Sequence, residues 1–150
     1  MTREEQARMF ASLAGSESAG ALAFELWQAV GVWDDLIDRD VPVGPQEINA
    51  AFWRLLITLP ANPFYAQHAD LLRPLLIVGV ANWMAGNELA VEGHKDLEWF
   101  MRMGFVDVLV LCAFLNGGLA AAIAAAKRAR LFLKDEEPLA EYLAPQAPKE

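Results

Sequence analysis

Apolar residues in this chain recur at three- and four-residue spacing almost from end to end, and hardly any stretch alternates as a half-buried strand does. Helices are therefore the elements it can build, and the glycines and prolines that interrupt the period decide how many. Thr2 and Glu5 stand in capping-box spacing ahead of a helix to Leu13, which stops at Gly15-Ser16-Glu17-Ser18. A second helix runs from Ser18 or Ala19 to Asp38 and ends at Val41-Pro42-Val43-Gly44-Pro45, because each proline disfavours helix in the residue before it. A third spans Gln46 to Leu59 and is expected to break at Pro60 and Asn62-Pro63.

A short turn or helix at Phe64 to His68 then leads into a long helix from Asp70 to Val91, with Pro74 tolerated in its first turns. After the break at Glu92-Gly93-His94-Lys95, Asp96 and Glu98 open a helix that runs to Asn116. The last, Leu119 to Lys134, is alanine-rich and ends in basic residues that suit a helix C-terminus. The reading is an all-α, single-domain antiparallel bundle of about five to seven helices over residues 1–143. Residues 144–150 read as a flexible tail.

At 150 residues and 55% apolar, with five Trp and eight Phe, the chain is long enough to bury an aromatic core without disulfides. Cys112, the only cysteine, lies in an apolar run and reads as a small buried hydrophobe. A net charge of −8 disfavours nucleic acid as a partner, since a phosphate-backbone binder needs a basic stripe. Residues 1–8 alternate charges with no apolar stretch behind them, so no export signal is visible and a cytoplasmic location is expected, or that of a phage-encoded protein in a bacterial host. From Val108 to Ala126 there is no charged residue, which reaches the length of a membrane span; Asn116-Gly117-Gly118 in its middle is a helix stop and divides it into two buried helices instead.

The one pointed chemical feature closes the second helix. At about 100° per residue, Asp34 and Asp38 lie about 40° apart, and Asp35 falls within about 60° of Asp38. All three can face one spot. The strip leading back from them carries Gly31, Trp27, Phe24 and Gly20, so the carboxylates cap an apolar, small-residue groove lined by Gly31, Trp27 and Phe24. Three acids in the last turns of a helix oppose its macrodipole, each by about 0.3 to 1 kcal/mol, and something must offset them. A hard divalent cation, Mg²⁺ or Mn²⁺, would, as would Arg39 next in sequence. A solvated helix end running into a Pro/Gly turn suits the same residues, and Asp40 belongs to that turn.

Trp33-Asp34-Asp35-Leu36-Ile37-Asp38 resembles the D-D-x-x-D motif of class I isoprenoid diphosphate synthases and terpene cyclases, which are all-helical. The resemblance implies that Asp34, Asp35 and Asp38 ligate Mg²⁺ ions that hold a diphosphate. The family's second metal motif is not intact: Asn82 is followed at the corresponding positions by Gly86 and Ala90, and Asn87 by Val91 and Lys95. The chain is also similar to small uncharacterised phage and prophage proteins in its Trp-Asp-Asp-Leu core and its Asn-Pro-Phe-Tyr segment at 62–65.

Asp107 and Asn82 are the residues that would complete such a site from across the bundle. Asp107 has Phe100, Met103, Gly104, Leu111 and Phe114 as helical neighbours, so on an internal face it needs a partner: the cluster's metal, or an arginine such as Arg54, Arg73 or Arg102. Asn82 shares a strip with Leu75, Gly79 and Gly86, which suits close helix approach as well as a ligand. Glu88 and Glu92 read as an exposed face, and His68 and His94 lack ligand spacing.

Two functions follow. One is divalent-metal-dependent binding or turnover of a diphosphate-bearing small molecule. The other is a non-enzymatic interaction or assembly protein whose apolar surface, with Trp53, Trp83 and Trp99 as anchors, is buried in a homo-oligomer.

Overall fold

The computed structural model describes residues 1–145, among which every regular element is a helix; most of the expected tail, 146–150, lies outside them. Helix α1 (Arg3–Ala14) begins as its capping chemistry requires, with the Glu5 amide donating to Thr2 Oγ1 and the Thr2 amide to Glu5 Oε2. It ends at Gly15, whose φ of 83° allows the left-handed turn that hands the chain to Ser16, the N-cap of α2 (Glu17–Asp38). The hairpin is tight because Gly20 lies directly on the α1 backbone: a Cβ there would sit 2.2 Å from Ala11 Cα. Arg39, at φ 55°, ends α2 where expected, its amide donating to the Asp35 carbonyl.

The break expected at Pro60 does not occur. Helix α3 (Pro45–Trp53) continues through a π-helical turn (Arg54–Thr58) into α4 (Leu59–Ala61). Pro60 offers no amide, and its ring would strike the carbonyl four residues back; widening the preceding turn, with the Leu59 amide reaching Arg54, moves that carbonyl aside. Asn62 then caps α5 (Pro63–Val91), accepting from the Phe64 and Tyr65 amides while its Nδ2 donates to the Ser18 carbonyl at the start of α2. The two segments expected from Phe64 and from Asp70 are joined in α5, with a kink at His68 (φ −120°, ψ 19°). Pro74 falls in the second turn after the kink, inside α5, where no amide is offered to the Asp70 carbonyl.

The helix expected from Asp96 to Asn116 is interrupted. Helix α6 (Lys95–Arg102) passes through a 3₁₀ turn (Met103–Phe105) into α7 (Val106–Glu136), and the tighter turn at Gly104 sends both Met103 and Phe105 into the core. Phe105 fits there because Gly79 has no side chain: a Cβ on Gly79 would meet the ring at 3.2 Å. Gly86 faces α6, where a Cβ would make ordinary contact with Glu98 Cα at 3.6 Å, so on this strip it is Gly79 that close packing requires.

Helix α7 turns back on itself at Gly118 (φ 75°, ψ −167°). Asp107 and Arg130 would be about 35 Å apart on a straight helix, yet their side chains pair at 2.8 Å across the two arms. The expected division at Asn116-Gly117-Gly118 is therefore a helical hairpin. Asn116 secures it by donating to the Ala14 carbonyl (2.7 Å) and Ser16 Oγ at the α1–α2 turn. Glu137 is extended ahead of Pro138, and a last short helix, α8 (Leu139–Tyr142), folds toward α6. The core runs between α1, α2, α5 and α7, with Phe10, Leu22, Phe24, Leu72, Leu109 and Cys112 inside it.

Candidate functional site

Trp33 on α2 stacks on Trp83 on α5 (ring centroids 5.3 Å apart, planes at 25°), and Phe105 stands edge-on to Trp33. The Trp83 indole N–H is buried without a hydrogen-bond partner among the described residues, a desolvation penalty this aromatic stack carries. On that stack lies Arg102, the last residue of α6, its guanidinium 5.6 Å from the Trp83 ring centroid and 5.2 Å from that of Tyr142. Arg102 donates to Asp34 Oδ2 and sits 3.6 Å from Asp38 Oδ2. Tyr142 in turn donates to Glu98, the one buried charged residue among the described residues, and Trp99 Nε1 donates to the Glu137 carbonyl. Residues from α2, α5, α6 and α8 thus converge on one cation.

Beside it is a cavity of about 190 Å³, walled by Trp27, Gly31, Trp83 and Trp99, with Asp34 and Arg102 at its polar end. It opens beside an acidic cleft lined by Asp38, Asp40, Glu98 and Glu141, with Lys95 also in its wall. Trp27 and Gly31 line the cavity as expected, but Phe24 does not. Ten residues before Asp34, it is about 15 Å away along the helix, where the neighbour is α1: Phe24 meets Phe10 edge-on and lies under the Arg3 guanidinium.

Burial pushes the Asp34 carboxyl up to about 7; Arg102 opposes that shift and Asp38 adds to it. Burial also raises Asp35, with Asp40 and Asp38 reinforcing it, and raises Glu137 against the pull of Arg102. For Arg102, burial disfavours the charge, but Asp34 and Tyr142 outweigh it and hold the guanidinium protonated.

Of the three aspartates, α2 brings Asp34 and Asp38 to the arginine, while the half-buried Asp35 lines neither the cavity nor the cleft. Asp107 is not buried as an internal face would require. Its side chain is 46% accessible, in the groove between α5 and α7, and pairs with Arg130 instead of Arg54, Arg73 or Arg102. Asn82 is half-buried on α5 and does not line the cavity. Among the described residues no three carboxylate, imidazole or thiol groups gather to hold a metal ion. No sequence motif marks Arg102, Glu98 and Tyr142 as members of the cluster; the one local signal is Glu98 and Arg102 at i, i+4 on one face of an amphipathic helix.

The raised Asp34 carboxyl sets a pH dependence. Its folded value of about 7 lies above the ordinary 3.8, so the folded chain holds this proton more tightly than the unfolded chain. The stability it contributes is full below the ordinary value and is lost as pH rises through about 7. Asp34→Asn should flatten the fall in melting temperature between pH 4.5 and 8; parallel curves for variant and wild type would contradict the assignment.

No protein-family model, curated protein or solved structure matches this chain.

Proposed function

We propose that this chain is a non-enzymatic assembly protein whose apolar surface is covered by another protein surface. The observation that carries the reading is the accessible area, 9240 Å², where a folded monomer of this mass exposes about 7,600 Å². Large apolar side chains stand on this surface: Trp53 is 65% exposed, Leu56 66%, Ile77 69% and Leu119 67%, and Ile77, Val80 and Met84 make a contiguous exposed strip along α5, the kind of patch that marks an interaction site. Of the three tryptophans expected as anchors, Trp83 belongs to the core and Trp99 to the cavity, which leaves Trp53 at the surface.

The aspartate pair supports the same reading. The cation that a helix end with several acids demands is Arg102, placed by α6. A diphosphate would also meet the acidic cleft beside that pair, which repels it unless metal ions intervene.

Two segments, Pro63–Val91 and Lys95–Glu136, are long and apolar enough by length and composition to cross a membrane. A protein cover fits them better. The second folds back at Gly118, and the uncharged stretch of α5, residues 74–87, is about 21 Å long against a hydrocarbon core of about 30 Å.

Light scattering on detergent-free protein should give a mass above the 16.5 kDa of one chain, with a melting temperature that rises with concentration. A 16.5 kDa species at every concentration, with an invariant melting temperature, would overturn the proposal.

A further inference from the structure

One strip of the apolar surface has a self-complementary residue order. Along the outer face of α5, Arg73, Ile77, Val80, Ala81, Met84 and Glu88 fall within an arc of about 100°. All six are exposed, Ile77 at 69%, Val80 at 40% and Met84 at 56%. The strip has a midpoint at the Val80–Ala81 peptide bond. Arg73 lies as far before it as Glu88 lies after it, and the same holds for Ile77 and Met84.

From this we infer that two copies of the chain pair through antiparallel α5 helices about a two-fold axis at the Val80–Ala81 peptide, a proposal that rests on the assembly reading and names its partner. Under that axis Arg73 of each copy meets Glu88 of the other and Ile77 meets Met84, each contact occurring twice as a closed two-fold interface requires, while Val80 and Ala81 flank the axis and each lies beside its own counterpart. Steps of four and three residues along the strip give a seam along which helices pack at small crossing angles, about 8–10 Å between axes, and Ala81 at the centre lets them approach. Neither Arg73 nor Glu88 makes an ion pair within the described chain.

The area is adequate. Grooves on both sides of α5, one shared with Leu55 of the π turn and the other with Phe114 of α7, widen the apolar strip. The surplus accessible surface of one chain, about 1,600 Å², exceeds the roughly 800 Å² that each partner contributes to a standard interface. Apolar contact supplies the affinity, while the terminal charges set antiparallel over parallel pairing, because a parallel seam places Arg73 on Arg73 and Glu88 on Glu88.

The test uses the full chain in sedimentation equilibrium, with far-UV circular dichroism confirming the fold of every variant. Arg73→Glu and Glu88→Arg should each weaken the dimer by about tenfold, and the double swap should restore it to within about threefold of wild type. A merely structural role for either residue gives no such rescue. Ile77→Glu should give monomer. Ala81→Cys should form an interchain disulfide when diamide supplies the oxidant, while Glu4→Cys, on exposed α1, should not; Cys112 is fully buried and does not compete.

An oligomer that survives Ile77→Glu, gives no Ala81→Cys disulfide and ignores the charge swap overturns this seam while leaving assembly through another face. A monomer at every concentration overturns both. Monomeric protein that pellets with phosphatidylcholine/phosphatidylglycerol vesicles, and loses that binding with Ile77→Glu, overturns both in favour of a membrane surface.

Discussion

Gly20→Ala is expected to destabilise the fold by about 2–3 kcal/mol, even though alanine is the better helix former by about 1 kcal/mol. The added methyl would lie 2.2 Å from Ala11 Cα and 2.5 Å from Ala11 N, backbone atoms that no rotamer change can move. Helix α1 must shift as a body, and its inward residues are fully engaged: Phe10 is 4% exposed, Ala14 is 0%, and Phe10 rests edge-on against Phe24. Overpacking against rigid neighbours therefore outweighs the gain in propensity. Urea unfolding reads the loss directly. The origin of the strain is tested by adding Ala11→Gly, which removes only the Ala11 methyl and should not rescue, since the clashes with Ala11 Cα and N remain. Wild-type stability in Gly20→Ala would mean that α1 and α2 do not approach this closely.

The second large effect is expected at Arg102. Its side chain is 12% accessible and engages Asp34, Asp38 and the faces of Trp83 and Tyr142. Arg102→Met keeps much of the volume but leaves Asp34, itself 25% accessible, without its cation. Breaking a buried pair from one side costs about 3–5 kcal/mol because the remaining charge is stranded. The loss should be largest near pH 8 and smaller near pH 5. Without the guanidinium the Asp34 carboxyl moves above its present value of about 7, so at pH 5 it is neutral and the stranded charge is gone. Arg102→Lys should recover only part of the loss, since an ammonium cannot stack on both rings while bonding the carboxylate. Equal losses at pH 5 and pH 8 would show that Arg102 acts through packing alone.

These two positions differ in how visible they were. The ends of α1 and α2 follow from local chemistry: Thr2 and Glu5 cap each other, and Gly15 takes the positive φ that a side chain resists. Asn116-Gly117-Gly118 breaks an apolar run for the same local reason, and the break proved to be a reversal. Local rules failed at Pro60, where a π-helical turn absorbs the proline, and at Gly104, where packing of Met103 and Phe105 is gained by interrupting a helix.

The candidate site was legible only on one side. Periodicity placed Asp34 and Asp38 on the same strip as Trp27 and Gly31, and all four are found at the same corner of the fold. It also placed Phe24 there, because a helical period specifies an angle around the axis and says nothing about which neighbour stands at each height.

The sequence by itself determined that this protein is helical, where most helices begin and end, and that one of them closes in a group of carboxylates needing a cation. Tertiary structure alone decided that the cation is Arg102, that Asp107 answers to Arg130 across the Gly118 reversal, and that the outer face of α5 is left uncovered. The division has a physical cause: caps, turns and periodicity act within a few residues, whereas an ion pair between positions 34 and 102 exists only once α2 and α6 have been packed against the same core.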